Sequence, residues 1–299
     1  MRQARRLPPD PMPAWTLPQI RAFLSPRLPG LAVHHAAPFT GGFWNDVQRL
    51  DTSDGPLVFK RYRPIPEGSL FPNLPADEAL ALTRLAGLDV APDLVAFWPE
   101  EPALLYRFLP GPEWQDDVMS AAQLLRRQSR ANPQGFRRVP VTADTILAEA
   151  DRILSTCTPD EVTTHLQACH PPARTTPPAP LSLIHTDPAA ANLVGQGAGL
   201  RLIDWQCPAA GDLAEDVSVL LSPAFLTLYQ RPLVGPAARR LFLETLADPD
   251  LEARLPALEP AYVFRLAAYC ARRMQTTPDP SLAARYRHAA LAQAQALSP

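Results

Sequence analysis

The stretch LSLIHTDPAAANLVGQGAGLRLIDWQ, residues 181–206, decides the fold. Two short apolar runs, LSLI and LRLID, flank a polar loop and a glycine turn. The segment reads as a hairpin-like unit with polar residues at its ends. Its loop carries His185, Thr186 and Asp187, with Asn192 five residues after the aspartate. Asp204 closes the second run, twelve residues further on. This spacing suits phosphoryl transfer to a hydroxyl. Such a reaction needs a carboxylate to orient the hydroxyl and accept its proton, and hard oxygen ligands for Mg²⁺ on the phosphates. Asp187 and Asn192 can reach one pocket from one loop, and Asp204 enters it from the neighbouring strand. His185 is not expected as a magnesium ligand.

Outward from this unit the chain divides. Helical periodicity dominates 116–130, 143–155, 236–247, 258–274 and 281–297, with Ser281 as the expected cap of the last helix. The arginine pairs at 126–127, 137–138, 239–240 and 272–273 read as solvated helix faces. Before residue 110 the pattern differs. After a helix at 17–28, strands are expected at 32–39, 45–51, 57–62, 93–98 and 103–109, with one helix at 75–88 inserted among them. PGPEW (110–114) reads as the hinge. The expected organisation is therefore α+β: an N-terminal lobe over 1–109 and a helical lobe over 110–299.

Bulk properties set limits. With 46% hydrophobic and 19% charged residues, the 299-residue chain has the balance of a globular enzyme. A net charge of −2 gives no electrostatic case for nucleic acid or an anionic membrane. The opening MRQARRLPPDPMPAW has no apolar core of a secretory signal, so a cytoplasmic location is expected. Cys157, Cys169, Cys207 and Cys270 form no C-x-x-C pair, so neither a zinc site nor a disulfide framework is expected. His34 and His35 lie on one expected strand and are not read as ligands. Trp205 is expected to pack in the core.

The motif H-T-D-x-x-x-x-N followed by I-D-W resembles that of the aminoglycoside phosphotransferase and choline kinase-like family. These are small-molecule kinases with a protein-kinase-like fold of two lobes: a small antiparallel sheet with one helix, and a larger helical lobe. The resemblance runs from about residue 17 to 221. It implies Asp187 as catalytic base, Asn192 and Asp204 as Mg²⁺ ligands, and His185 as a brace of the catalytic loop. The family has glycine where this chain has Thr186; that departure reads as mild, because the flanking polar residues keep their spacing. GGFWN resembles the family's G-G-x-x-N loop and implies nucleotide contacts from Gly41, Gly42 and Asn45. The backbone around Tyr106, Phe108 and Leu109 is implied to meet the adenine. GDLAEDVS (211–218) resembles a further family segment, with Asp216 read as an anchor of the catalytic loop rather than a substrate ligand. Glu113, Trp114, Asp116 and Asp117 are candidates for an acceptor-pocket wall.

The resemblance also gives meaning to the chain's only lysine. Of 28 basic residues, 27 are arginine; Lys60 stands alone, in LVFKRY. The family places its phosphate-contacting lysine on the third strand, paired with a carboxylate of the next helix. Glu78 is the expected partner, with Asp77 as the alternative. A compact ammonium fits between a carboxylate and two phosphates where a planar guanidinium does not. The resemblance thus implies ATP and Mg²⁺ as cofactors, and transfer of the γ-phosphoryl group to a small-molecule hydroxyl such as that of an aminoglycoside, amino alcohol or amino sugar. The competing expectation is a pseudokinase-like module that holds nucleotide without turnover; the set Lys60, Asp187, Asn192 and Asp204 is complete, which favours the enzyme. No D-F-G and A-P-E framing indicates a protein acceptor.

Overall fold

In this computed structural model, residues 13–39, 45–64, 69–177 and 179–297 are described. A helix, α1 (Leu17–Leu24), precedes three strands, β1 (Val33–Pro38), β2 (Asp46–Thr52) and β3 (Gly55–Arg61). Helix α2 (Pro75–Leu85) follows, then β4 (Leu94–Trp98) and β5 (Ala103–Arg107). The five strands form one antiparallel sheet in the order β1-β2-β3-β5-β4. Alternation along β3 gives the sheet two different faces. Leu57 and Phe59 point to one side, where Ile20, Phe23 and Leu24 of α1 close a small core with Trp98 and Leu105. Burying each such side chain contributes about 1.5–3 kcal/mol. Val58, Lys60 and, beyond the strand, Tyr62 point to the other side. There Val58, Tyr62, Leu104 and Tyr106 join the main core of the molecule. Helix α1 is shorter than expected because it stops at Ser25, and Pro26 cannot extend it.

The second half contains α3 (Val118–Gln128), α4 (Ala143–Ser155) and α5 (Glu161–Ala168), and then short strands β6 (Ser182–Ile184), β7 (Leu193–Val194), β8 (Arg201–Leu202) and β9 (Ala209–Gly211). Helices α6 (Leu213–Leu220), α7 (Pro223–Leu228), α8 (Pro236–Leu246), α9 (Pro249–Thr276) and α10 (Pro280–Gln295) complete it. The 28-residue α9 packs against α4, α6 and α10. It starts earlier than periodicity suggests, because Asp248 caps it by accepting from Leu251 N at 2.9 Å and Pro249 suits the first turn. Pro256 and Pro260 lie inside it. The cap of α10 is Asp279, not Ser281: it accepts from Ser281 N at 2.9 Å. Helices α5, α6 and α7 were not expected; α6 is buried throughout, so it shows no amphipathic stripe.

The hairpin also differs from its sequence reading. LSLI does not pair with LRLID. Strand β7 pairs with β8, while β6 pairs with β9 across Ile184 and Ala209. Gly211 eases this approach: a Cβ there would sit 2.5 Å from Ile184 Cδ1 and 2.6 Å from Val139 Cγ2 and would force those side chains to shift. Arg137 and Arg138 are not on a helix but run beside β9, and Arg137 Nη2 donates to Cys207 O at 3.1 Å. All four cysteines are free. Among the described residues no helix is long and apolar enough to cross a membrane.

Candidate active site

Lys60 lies on the main-core face of β3 and is 1% exposed. Its Nζ lies 2.6 Å from Glu78 Oε2 and 2.5 Å from Asp204 Oδ1. Burial opposes the ammonium, yet Asp204 and Glu78 outweigh it and hold the lysine above its ordinary pKa. Glu78 is itself 1% exposed, at the first turn of α2 behind Pro75. Burial raises its pKa and Lys60 opposes the rise. Asp77, the alternative partner, is half-buried and senses Arg137 instead. Tyr62 was not anticipated. Two residues after Lys60 on the same face, its hydroxyl donates to the same Glu78 oxygen at 2.5 Å. The strand period could have revealed it.

The loop between β6 and β7 is held from below. Asp216, in α6, accepts from the backbone N of His185 and of Thr186, each at 2.8 Å, and from Gln128 Nε2 at 2.5 Å. Burial pushes its carboxyl up to about 7 against these bonds. Asp212 is also buried: it caps α6 and pairs with Arg254. His185 Nε2 lies 3.0 Å from Ile203 O, and Nδ1 accepts from Asp187 N at 3.3 Å. Its ring packs against Trp205, centroids 4.5 Å apart. Burial lowers the imidazole to about 4, so it is neutral at pH 7. Both His185 and Asp216 are thus positioned as braces.

Thr186 is no mild departure. Its φ is +67°, a region that β-branched residues avoid, at a cost on the order of 1–3 kcal/mol. Glycine suits that conformation, which accounts for the family pattern. Here the Thr186 hydroxyl donates to Cys207 O at 2.8 Å and lies 3.2 Å from Cys207 Sγ.

Asp187 follows. Its Oδ1 is buried and has no hydrogen-bond partner among the described residues. Burial, then the charges of Asp204 and Asp216, raise its pKa well above the usual carboxylate range. Asn192 Nδ2 donates to Asp187 O at 2.9 Å, which leaves Oδ1 as its ligand atom. Asp204, at φ +63°, has a side chain 40% exposed. The oxygens of Asn192 and Asp204, with the orphaned oxygen of Asp187 nearby, fit a hard divalent cation that takes its remaining ligands from phosphates and water. Among the described residues no cluster of three or more His, Cys, Asp and Glu side chains forms a self-sufficient metal cage.

Gly41 and Gly42 lie outside the described residues. The Asn45 side chain is engaged rather than open: its amide pairs reciprocally with Asn73 at 2.7 and 3.1 Å, donates to Gln206 Oε1 at 2.9 Å and accepts from Arg63 N at 3.2 Å. It is a strut between the sheet, the approach to α2 and the segment after Asp204. Neither Asn73 nor Gln206 was singled out in the sequence, since amides in loops carry no pattern. Tyr106 is buried on the Lys60 face; Phe108 stacks on Phe39 and donates its N–H to Pro56 O at 3.1 Å. Trp114 is core, with Nε1 bonded to Asp117 O, and Asp117 caps α3. Glu113 pairs with Arg231. Glu113, Trp114 and Asp117, with Asp116 and the 195–197 turn, line a cavity of about 360 Å³.

The geometry is that of a two-lobed kinase-type phosphotransferase, with a lysine–carboxylate pair under the sheet and the carboxylates of Asp187 and Asp204 and the Asn192 amide opposite it. The sequence matches the model of the phosphotransferase enzyme family over residues 35–255, and the chain belongs to that family. By family it is a small-molecule phosphotransferase. Similar solved structures include a choline/ethanolamine kinase family protein from Mesorhizobium loti, at 18% identity and TM-score 0.65, covering 94% of each chain. Choline kinase LicA from Streptococcus pneumoniae has 14% identity and TM-score 0.64, over 93% of this chain and 98% of that one. Aminoglycoside 2'-phosphotransferase-IIIa in its GDP complex has 13% identity and TM-score 0.63, with the same coverages. No curated protein matches the sequence significantly.

Proposed function

We propose that the protein transfers the γ-phosphoryl group of ATP to the hydroxyl of a small amino alcohol, using Mg²⁺. The observation that carries the reading is the buried Asp187 Oδ1, without a hydrogen-bond partner among the described residues, in one loop with Asn192 and within electrostatic reach of Asp204. Lys60, backed by Glu78 and Tyr62, binds the phosphates from the sheet side. Gly41, Gly42 and the backbone around Tyr106–Leu109 contact the nucleotide, while Asn45 ties the start of β2 to Asn73 and Gln206. Asn192 and Asp204 would hold Mg²⁺, which would supply positive charge against the phosphates. Asp187 accepts the proton as the acceptor oxygen bonds to phosphorus and the bond to ADP breaks. Its raised pKa suits a proton acceptor. The lobes divide at residues 109 and 110.

The support for this acceptor class is a group of aromatic side chains within electrostatic reach of Asp187. The phenols of Tyr229 and Tyr269 both sense its charge, and Phe71 and Phe225 pack beside Tyr269. Aromatic walls favour a compact ammonium-bearing acceptor over a polycation that needs many carboxylates. The test is ADP release from ATP, and separately from GTP, with choline, ethanolamine, amino sugars and kanamycin as acceptors. Stimulation by an amino alcohol supports the reading. Stimulation by kanamycin alone replaces the acceptor class, and nucleotide binding without turnover on any acceptor removes the enzyme reading.

A further inference from the structure

We infer that Thr186 is a positioning residue: its hydroxyl latches the catalytic loop to the segment after Asp204 and so aims the Asp187 carboxylate. The inference rests on Asp187 being the base.

The Asp187 side chain has little to aim it. Its Oδ1 has no hydrogen-bond partner among the described residues, and the bonds described at this residue engage its backbone N and O. The direction of the carboxylate is therefore set by the backbone that enters it, at Thr186. That backbone has φ +67°, which threonine alone does not favour. Two bonds keep it there. One is the Asp216 carboxylate on the Thr186 N, at 2.8 Å. The other is the Thr186 hydroxyl on Cys207 O, also at 2.8 Å, with Cys207 Sγ at 3.2 Å.

The second bond reaches across the site. Cys207 lies three residues after Asp204, and Cys207 Sγ returns toward His185 O at 3.7 Å. Arg137 fixes the same Cys207 carbonyl from outside. Thr186 is 1% exposed and Cys207 is fully buried, so water does not compete for these bonds. A glycine at 186 would adopt the same φ without strain but would carry no latch. The chain thus uses a less comfortable residue to tie the proton acceptor to the cation-ligand segment.

The experiment compares Thr186→Gly, Thr186→Ser and wild type in the full chain. Hydrogen exchange of peptides 181–192 and 203–212 is read without nucleotide, and acceptor-stimulated kcat and KM for ATP are read separately. The glycine variant is expected to exchange at least about 5-fold faster in both segments together. Its kcat should fall about 10-fold, with KM for ATP unchanged within about 2-fold, since a shift of about 1 Å in the base acts on the chemical step. Its melting temperature should not fall with kcat, because strain is relieved. Serine keeps the hydroxyl and should restore both exchange and kcat. Should the glycine variant not fold cooperatively, Thr186→Ala against Thr186→Ser makes the same comparison. Wild-type exchange and kcat in the variant lacking the hydroxyl, or serine failing to rescue, overturns the latch. If wild type turns over no acceptor, the kinase reading falls and the exchange data alone decide the latch.

Discussion

Replacing Lys60 should damage stability and catalysis by separable amounts. Lys60 and Glu78 are each 1% exposed and lie 2.6 Å apart. Removing the ammonium, as in Lys60→Met, leaves a buried carboxylate with Tyr62 as its remaining side-chain donor. Breaking a buried ion pair in this way costs about 3–5 kcal/mol. The second contact, to Asp204, adds little, because that carboxylate is 40% exposed and screened by solvent. For a chain this size the loss should lower Tm by about 10 °C. The double variant Lys60→Met/Glu78→Met removes both charges and should recover most of that loss, yet stay inactive. Lys60→Arg keeps the charge but brings a longer, planar group into a filled site. It should cost about 1–3 kcal/mol and about 100-fold in kcat. Urea unfolding followed by circular dichroism reads the first quantity, and ADP release the second. A Lys60→Met variant as stable as wild type would show that Glu78 is not held by the lysine. Wild-type turnover by Lys60→Arg would mean that the solitary lysine is a compositional leftover.

Asp187→Asn should lose at least about 100-fold in kcat while keeping nucleotide affinity, because an amide cannot accept the proton; isothermal titration with ATP and a turnover assay check the two halves. Asp204→Asn should raise the Mg²⁺ concentration needed for half-maximal thermal stabilisation by ATP, and an unchanged requirement would remove Asp204 as a ligand. His185 gives a pH signature. Its pKa falls from 6.5 to about 4 on folding, so the unfolded chain takes up the extra proton first as pH drops. The resulting stability is complete above pH 6.5 and is lost as pH falls through 4. At pH 5 about 2 kcal/mol is gone. Asp216, raised to about 7, acts with the opposite sign, so wild type alone does not isolate the effect. The destabilisation caused by His185→Gln should therefore be about 2 kcal/mol smaller at pH 5 than at pH 8 in urea titrations, and an equal penalty at both would mean that His185 is not buried neutral.

What the sequence made legible was the set of rare residue types that the fold brings together. Lys60, Glu78, Asp187, Asn192 and Asp204 were all named from spacing and resemblance, and the five-strand sheet from alternation. What it hid follows from packing. The close fit of β9 on β6 is eased by the missing side chain of Gly211, which matters only once Ile184 and Val139 are in place. Helix α6 is buried on every side, so no periodicity marks it. Arg265 on α9 reads as one more arginine, yet it is 1% exposed and bonds to Glu215 at 2.6 Å and Glu149 at 2.8 Å. The strain at Thr186 is a backbone property, invisible until φ is known.

The junction of Asn45, Asn73 and Gln206 has a consequence for how the molecule responds to its surroundings. Every side chain in it is a neutral amide, so neither salt nor pH weakens it in the way they weaken paired charges. The contacts of Lys60 are ionic, and one of them, to Asp204, is open to solvent on the aspartate side. Alignment and chemistry are thus carried by different kinds of force. Asp204 is half-open to solvent and held by charge, while Gln206, two residues later, is held to Asn45 by a bond that ionic strength does not screen.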